Sequence, residues 1–227
     1  MNRSEDTSSK RARPEYDGYH AMIFDLVPEK SRVLDVGCAT GKLAEQLRRR
    51  KKCFVVGIEC EEYMAELAKT RCDQVLVADV ETMKLLPFPD GFFDVIVLAD
   101  VLEHLAQPSC VLARFRRYLK DGGMVLVSIP NVANWRIRLG LLLGKFDYSE
   151  YGILDVNHLR FFTAKTLKAM IEDNGYVIVL LRGYNYFLYY HLKKSIGILK
   201  SLLGYQLVAK ALKCSKHCKH VTASLCA

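Results

Sequence analysis

The chain has 227 residues, of which 51% are hydrophobic and 10% aromatic, and a formal charge of +8. That length suits one well-buried domain with additions and falls short of two, and the composition excludes extensive disorder. No apolar run reaches the roughly 18 residues that span a bilayer, and the N-terminus has no apolar signal core, so a cytoplasmic location is expected. The charge sits at the ends. Residues 1–13 carry four basic and two acidic side chains, and residues 193–227 carry seven lysines and no acid, which leaves 14–192 at −1. A near-neutral middle offers no channel for phosphates, so no nucleic-acid partner is expected. The eight cysteines of a cytoplasmic chain are expected as free thiols, with Cys38, Cys53, Cys60, Cys72 and Cys110 serving as small apolar residues.

In chain order, residues 1–13 read as a disordered basic leader. A helix is expected from Tyr16 to Leu26, stopped before Pro28. Val33-Leu-Asp-Val36 reads as a strand buried on both faces, the glycines 37 and 41 let the chain turn and a ligand approach bare backbone, and Leu43, Ala44 and Leu47 mark a helix face. A strand, a glycine turn and a helix N-terminus suit a ligand carrying an adenosine or a carboxylate. The alternation continues through 42–50, 54–58, 61–71, 75–77, 93–99, 108–119 and 124–129, which predicts a parallel sheet with helices on both faces. Lys120-Asp-Gly-Gly123 is expected as a turn between the helix end and the fifth strand. Thr163 is a good N-cap for a helix from Ala164 to Asp173, and Gly175 a good stop. Strands are expected over 176–181 and 205–210.

A dinucleotide fingerprint requires G-x-G-x-x-G, and here Ala39 and Lys42 occupy the second and third glycine positions, which argues against an NAD oxidoreductase. The actual pattern, Asp35-x-Gly37-x-x-x-Gly41, with Glu59 closing the second strand and Asp79 following the third, resembles the S-adenosylmethionine site of class I methyltransferases. Ser128-Ile-Pro-Asn131 and Asp155-Val-Asn-His158-Leu-Arg-Phe-Phe-Thr163 resemble a branch of that family acting on polysaccharides and other small molecules. The resemblance runs from about 16 to 213. It implies a Rossmann-like, doubly wound, seven-stranded sheet ending in an antiparallel hairpin, within one domain over 14–213. An acceptor-side insertion is expected at about 131–163. It also implies S-adenosylmethionine as cofactor, with Glu59 on the ribose hydroxyls and Asp79 on the adenine amino group. The expected cofactor-binding residues are Asp35, Gly37, Cys38, Gly41, Glu59, Cys60, Asp79, Val80 and Asp100.

Methyl transfer from a sulfonium is a direct displacement, so the chain must align the acceptor atom and, for oxygen, remove a proton. Asp100-Val-Leu-Glu103-His104 follows the fourth strand, and on a helix start its carboxylates and imidazole face one cavity. His104 and His158 are the expected catalytic residues, His104 as base or as a residue that merely lines the site. In related small-RNA and ubiquinone-pathway methyltransferases an acid-x-x-Glu-His group holds a divalent cation, which makes Asp100, Glu103, His104 and His158 a candidate set. The alternative is that Asp155, His158 and Arg160 only tie the insertion down, and no metal is expected. The expected reaction is O-methylation of a small molecule, a sugar or a lipid-linked or secondary metabolite; a non-catalytic S-adenosylmethionine binder stays open. Aromatics and lysines over 184–203 suit peripheral membrane contact or, equally, groove packing. Cys214, His217, Cys218, His220 and Cys226 form one irregular cluster in the tail 214–227, expected as a frayed end rather than a zinc site.

Overall fold

The computed structural model describes residues 17–184 and 202–214. The leader 1–13, most of the 184–203 segment and the tail beyond Cys214 lie outside the described residues. In chain order the elements are α1 (Asp17–Leu26), β1 (Arg32–Val36), α2 (Lys42–Lys51), β2 (Phe54–Glu59), α3 (Glu62–Lys69) and β3 (Gln74–Val77). They continue with β4 (Phe93–Ala99), α4 (Pro108–Arg116), β5 (Leu119–Pro130), α5 (Trp135–Leu142), α6 (Ala164–Asp173), β6 (Tyr176–Tyr184) and β7 (Gln206–Lys213). The seven strands form one sheet in the order β3-β2-β1-β4-β5-β7-β6. All neighbours are parallel up to β5, whereas β7 runs antiparallel to both β5 and β6.

Side chains alternate across each strand, so the continuous apolar strands feed two cores. Val33, Val55, Val95 and Val97 pack with Ile23 and Phe24 of α1, Leu43 and Leu47 of α2 and Ala68 of α3. On the other face Leu34, Val36, Ile58, Ile96 and Leu98 pack with Leu112 and Phe115 of α4 and Leu167 and Ile171 of α6. Burial of both faces makes a one-residue register slip prohibitive, because it would exchange every side chain between the two cores. The Thr163 hydroxyl accepts the Thr166 amide while the Thr166 hydroxyl accepts the Thr163 amide, a reciprocal cap that starts α6 where expected.

The sheet order reverses beside β1: β2 and β3 lie to one side, β4 and β5 to the other. In open α/β sheets the crevice at such a switch point, off the carboxyl ends of the strands, holds the ligand. Asp35 and Glu59 lie at the ends of β1 and β2, Gly37 and Asp100 directly follow β1 and β4, Asp79 follows β3, and Gly41 caps α2.

Four local expectations are corrected. Leu119 already pairs with Phe93 and the next pair is Val95 with Met124, so Lys120–Gly123 is a bulge inside β5 rather than the turn before it. Chain leaving β4 forms only a short 3-10 turn, Leu102–His104, not a full helix start. The 131–163 stretch contains the unexpected helix α5, begun by Asn134, whose side chain accepts the Arg136 amide. Cys38, Cys53, Cys60 and Cys72 are free thiols, but Cys110 and Cys214 are disulfide-bonded. Among the described residues no helix is long and apolar enough to cross a membrane.

Candidate active site

The loop after β1 is pinned to β2. The Gly37 and Cys38 amides both donate to the Ile58 carbonyl, at 2.8 and 3.0 Å, and the Ala39 amide donates 2.9 Å to Glu59 Oε2. Glu59 Oε1 accepts the amides of Cys60 and Glu61, at 2.9 and 3.0 Å. The Glu59 carboxylate thus holds the loop and the start of the next turn together while sitting half-buried at the strand end. Gly37 has φ +66°, and a Cβ there would lie 2.7 Å from Val101 Cγ2, so the chain leaving β4 crosses directly over bare backbone. Ala39 and Asp100, neither a glycine, hold φ of 46° and 55°, backbone strain placed at the ends of β1 and β4.

Asp35 is 3% exposed on β1. Burial, and then the negative Glu59, pushes its carboxyl up to about 7. A positively charged ligand would reverse that shift. Cys38 points inward instead: its sulfur packs with that of Cys72 against Gly57, and the hydrogen bond with Cys72 followed by burial pushes its thiol up. Only the backbone of Cys38 is left to meet a ligand. Asp79 Oδ1 accepts the Glu81 amide at 2.8 Å, Ala78 donates to the Glu59 carbonyl at 3.0 Å, and Val80 is buried. These bonds bring the ends of β2 and β3 side by side, with the exposed Cys60 beside them.

A second part of the site lies beyond β4, in a cavity lined by Asp100, Glu103, His104, Pro130, Tyr151, Gly152, Asp155, His158, Tyr205 and Gln206. His104 Nδ1 lies 3.2 Å from the Asn157 carbonyl, and His158 Nδ1 lies 3.1 Å from the Ile153 carbonyl. A carbonyl only accepts, so each Nδ1 is the donor and Nε2 is the ring nitrogen turned away from that bond. The rings meet edge to face with centroids 4.8 Å apart. Glu103 is 1% exposed, and one ligand atom from each of Glu103, His104 and His158 falls within 4.8 Å of the others. Backbone fixes the insertion here as well: Leu159 and Arg160 amides donate to the Glu103 carbonyl, and the Arg160 guanidinium donates to the Ala106 carbonyl.

The structure therefore brings all four residues, Asp100, Glu103, His104 and His158, to one cavity, with the ligand atoms of Glu103, His104 and His158 clustered most closely. Asp100 Oδ1 accepts Ser128 Oγ at 3.1 Å and Gln206 Nε2 at 2.8 Å. Arg160 anchors the insertion to Ala106 as expected, whereas the Asp155 carboxylate accepts from Asn157 within the insertion itself. Ser128, Gln206, Tyr151 and Tyr205 were not anticipated as site residues. Their approach depends on β7 lying between β5 and β6, which no local pattern encodes.

The sequence matches a family model described as a methyltransferase domain over residues 10–181. It is 35% identical over 105 residues to the ubiquinone biosynthesis O-methyltransferase of Neisseria meningitidis serogroup A, covering 44% of each chain. The demethylmenaquinone methyltransferase of Thermotoga maritima is 27% identical over 176 residues, 69% of this chain and 74% of that protein. The chain thus spans less than half the length of the ubiquinone-pathway relative. Among solved structures, an S-adenosylmethionine-dependent methyltransferase of Thermotoga maritima, described as a possible histamine N-methyltransferase, superposes with a TM-score of 0.62 at 23% identity, covering 86% and 88% of the two chains. The [4+2]-cyclase SpnF superposes at 0.61 with 17% identity over 86% and 80%. At those identities the likeness is one of fold.

Proposed function

Because the chain belongs to the methyltransferase-domain family and has the fold of S-adenosylmethionine-dependent methyltransferases, we propose that it transfers the methyl group of S-adenosylmethionine to a hydroxyl of a small-molecule acceptor. The observation that carries the choice of oxygen is the histidine pair. Two imidazoles border one cavity at the end of β4, each oriented by a carbonyl at its Nδ1. An amine acceptor would need no such base once its lone pair is exposed, whereas a hydroxyl gains about 10²- to 10⁴-fold from one.

On this reading the cofactor lies across the ends of β1, β2 and β3. Gly37 lets Val101 close over the loop, Gly41 turns the chain into α2, and Glu59 and Asp79 take the sugar and base. Cys60, Val80 and the Cys38 backbone line its path, and Asp35, driven toward neutrality when the site is empty, regains its charge beside a cation. Asp100 closes the site between cofactor and acceptor. His104 Nε2 takes the hydroxyl proton as the oxygen attacks the methyl carbon and the sulfonium leaves as a neutral thioether. His158 holds the insertion side of the cavity. The relatives named for ubiquinone and menaquinone synthesis support a small acceptor. A sugar or a lipid-linked metabolite fits the same scheme.

The clustering of Glu103, His104 and His158 favours a second reading. Metal-binding histidines usually donate their other ring nitrogen to a carbonyl or carboxylate, as both do here. These three would hold a divalent cation, which lowers the pKa of a bound hydroxyl and orients it. The test is S-adenosylhomocysteine formation over a panel of phenolic and sugar acceptors, with and without strong chelation. Hydroxyl methylation that survives chelation and falls at least a hundredfold in His104→Gln supports the base. Loss on chelation supports the cation. Tight cofactor binding with no turnover on any acceptor overturns both and leaves a non-catalytic binder.

A further inference from the structure

Gln206 opens β7, opposite Pro130 of β5 and Tyr184 of β6, and is 6% exposed. Its Nε2 donates 2.8 Å to Asp100 Oδ1, an oxygen that Ser128 Oγ also reaches. A carboxylate oxygen accepts, so the NH₂ end of the amide must face Asp100 and the carbonyl end must face away. That carbonyl, Oε1, is buried and has no hydrogen-bond partner among the described residues. A buried acceptor left unmet is costly, and native structures keep few of them. Gln206 lines the same cavity as His104 and His158.

We propose that Gln206 reads the acceptor: its Oε1 accepts a hydrogen bond from a second hydroxyl next to the one being methylated. This rests on the O-methyltransferase reading above and names the substrate class, a molecule with two adjacent hydroxyls. One hydroxyl gives its proton to Nε2 of the histidine pair; the other stays protonated and donates to Gln206. A lone alcohol or phenol would leave Oε1 unmet, and a site built to bond a hydroxyl discriminates strongly against analogues that lack it. Asp100 and Ser128 are then positioning residues, since they act by fixing which end of the amide is held by the protein and which is left to the acceptor.

The test loads the full chain with S-adenosylhomocysteine, which confirms that the cofactor site is intact, and titrates two acceptor pairs: catechol against phenol, and cis-1,2-cyclohexanediol against cyclohexanol. The expected result is at least tenfold tighter binding of the diol in one pair, with that ratio collapsing to within threefold of one in Gln206→Met. The pair that shows the preference distinguishes an aromatic from a sugar-like acceptor. Equal affinities within both pairs, no binding of any of the four, or a preference unchanged in Gln206→Met would overturn the proposal while leaving the methyltransferase reading intact. Failure to bind S-adenosylhomocysteine would instead remove that reading. Should Gln206→Met not fold, Gln206→Asn, which withdraws the amide carbonyl from the acceptor, is read by the same ratio.

Discussion

Replacing Asp35 by Asn separates the chemistry of this carboxyl from its shape. Asp35 lies at the centre of the sheet, 3% exposed, with its carboxyl pushed from 3.8 up to about 7 by burial and by Glu59. Between those values the folded chain holds a proton that the unfolded chain has released, so stability falls as pH rises through this window and levels off above 7. A shift of about three units at about 1.36 kcal/mol each gives roughly 4 kcal/mol. Asparagine does not titrate. Urea unfolding of both proteins at intervals from pH 4 to 8 is expected to show near-equal stabilities at pH 4, with the variant gaining to about 4 kcal/mol at pH 8. The variant is also expected to bind S-adenosylmethionine more weakly, because it has no charge to offer the cation. A stability difference that stays flat with pH would refute the burial argument.

Three further outcomes follow from the same geometry. Gly37→Ala forces a Cβ to 2.7 Å from Val101 Cγ2 at a φ of +66°, so it should cost about 1–3 kcal/mol in thermal unfolding and more than tenfold in cofactor affinity. Thr163→Ala removes the reciprocal cap of α6 and should cost about 1 kcal/mol with cofactor affinity unchanged, read by denaturant midpoint and calorimetry. Wild-type cofactor affinity should rise from pH 6 to pH 8 as Asp35 ionises, with about half a proton released on binding at neutrality; binding enthalpies that do not depend on the buffer's ionisation heat would contradict this.

How much was legible beforehand follows the range of each interaction. The β1 strand, its glycine turn and the buried stripe of α2 are written in neighbouring residues, and the structure forms all three where the pattern places them. Thr163 and Gly175 likewise carry the start and stop of α6 in their own chemistry. The β5 bulge was missed because Lys120-Asp-Gly-Gly123 has the residues of a turn, while its pairing depends on Phe93 in another strand. Gln206 and Ser128 were missed because a polar residue in a strand announces nothing until the sheet order places it beside Asp100. The Asp100, Glu103, His104 and His158 grouping was half legible. Spacing puts Glu103 and His104 together and the motif suggests His158, whereas the bonds from Ser128 of β5 and Gln206 of β7 to the Asp100 carboxylate depend on the sheet order.

The measurement nearest the central claim is calorimetric titration of the purified chain with S-adenosylmethionine, S-adenosylhomocysteine and NAD. One equivalent of each sulfur nucleoside should bind at micromolar concentration, NAD should not, and Glu59→Ala should weaken both nucleosides together. No heat from either nucleoside at millimolar concentration, or preferential binding of NAD, would contradict the assignment of the crevice beside β1.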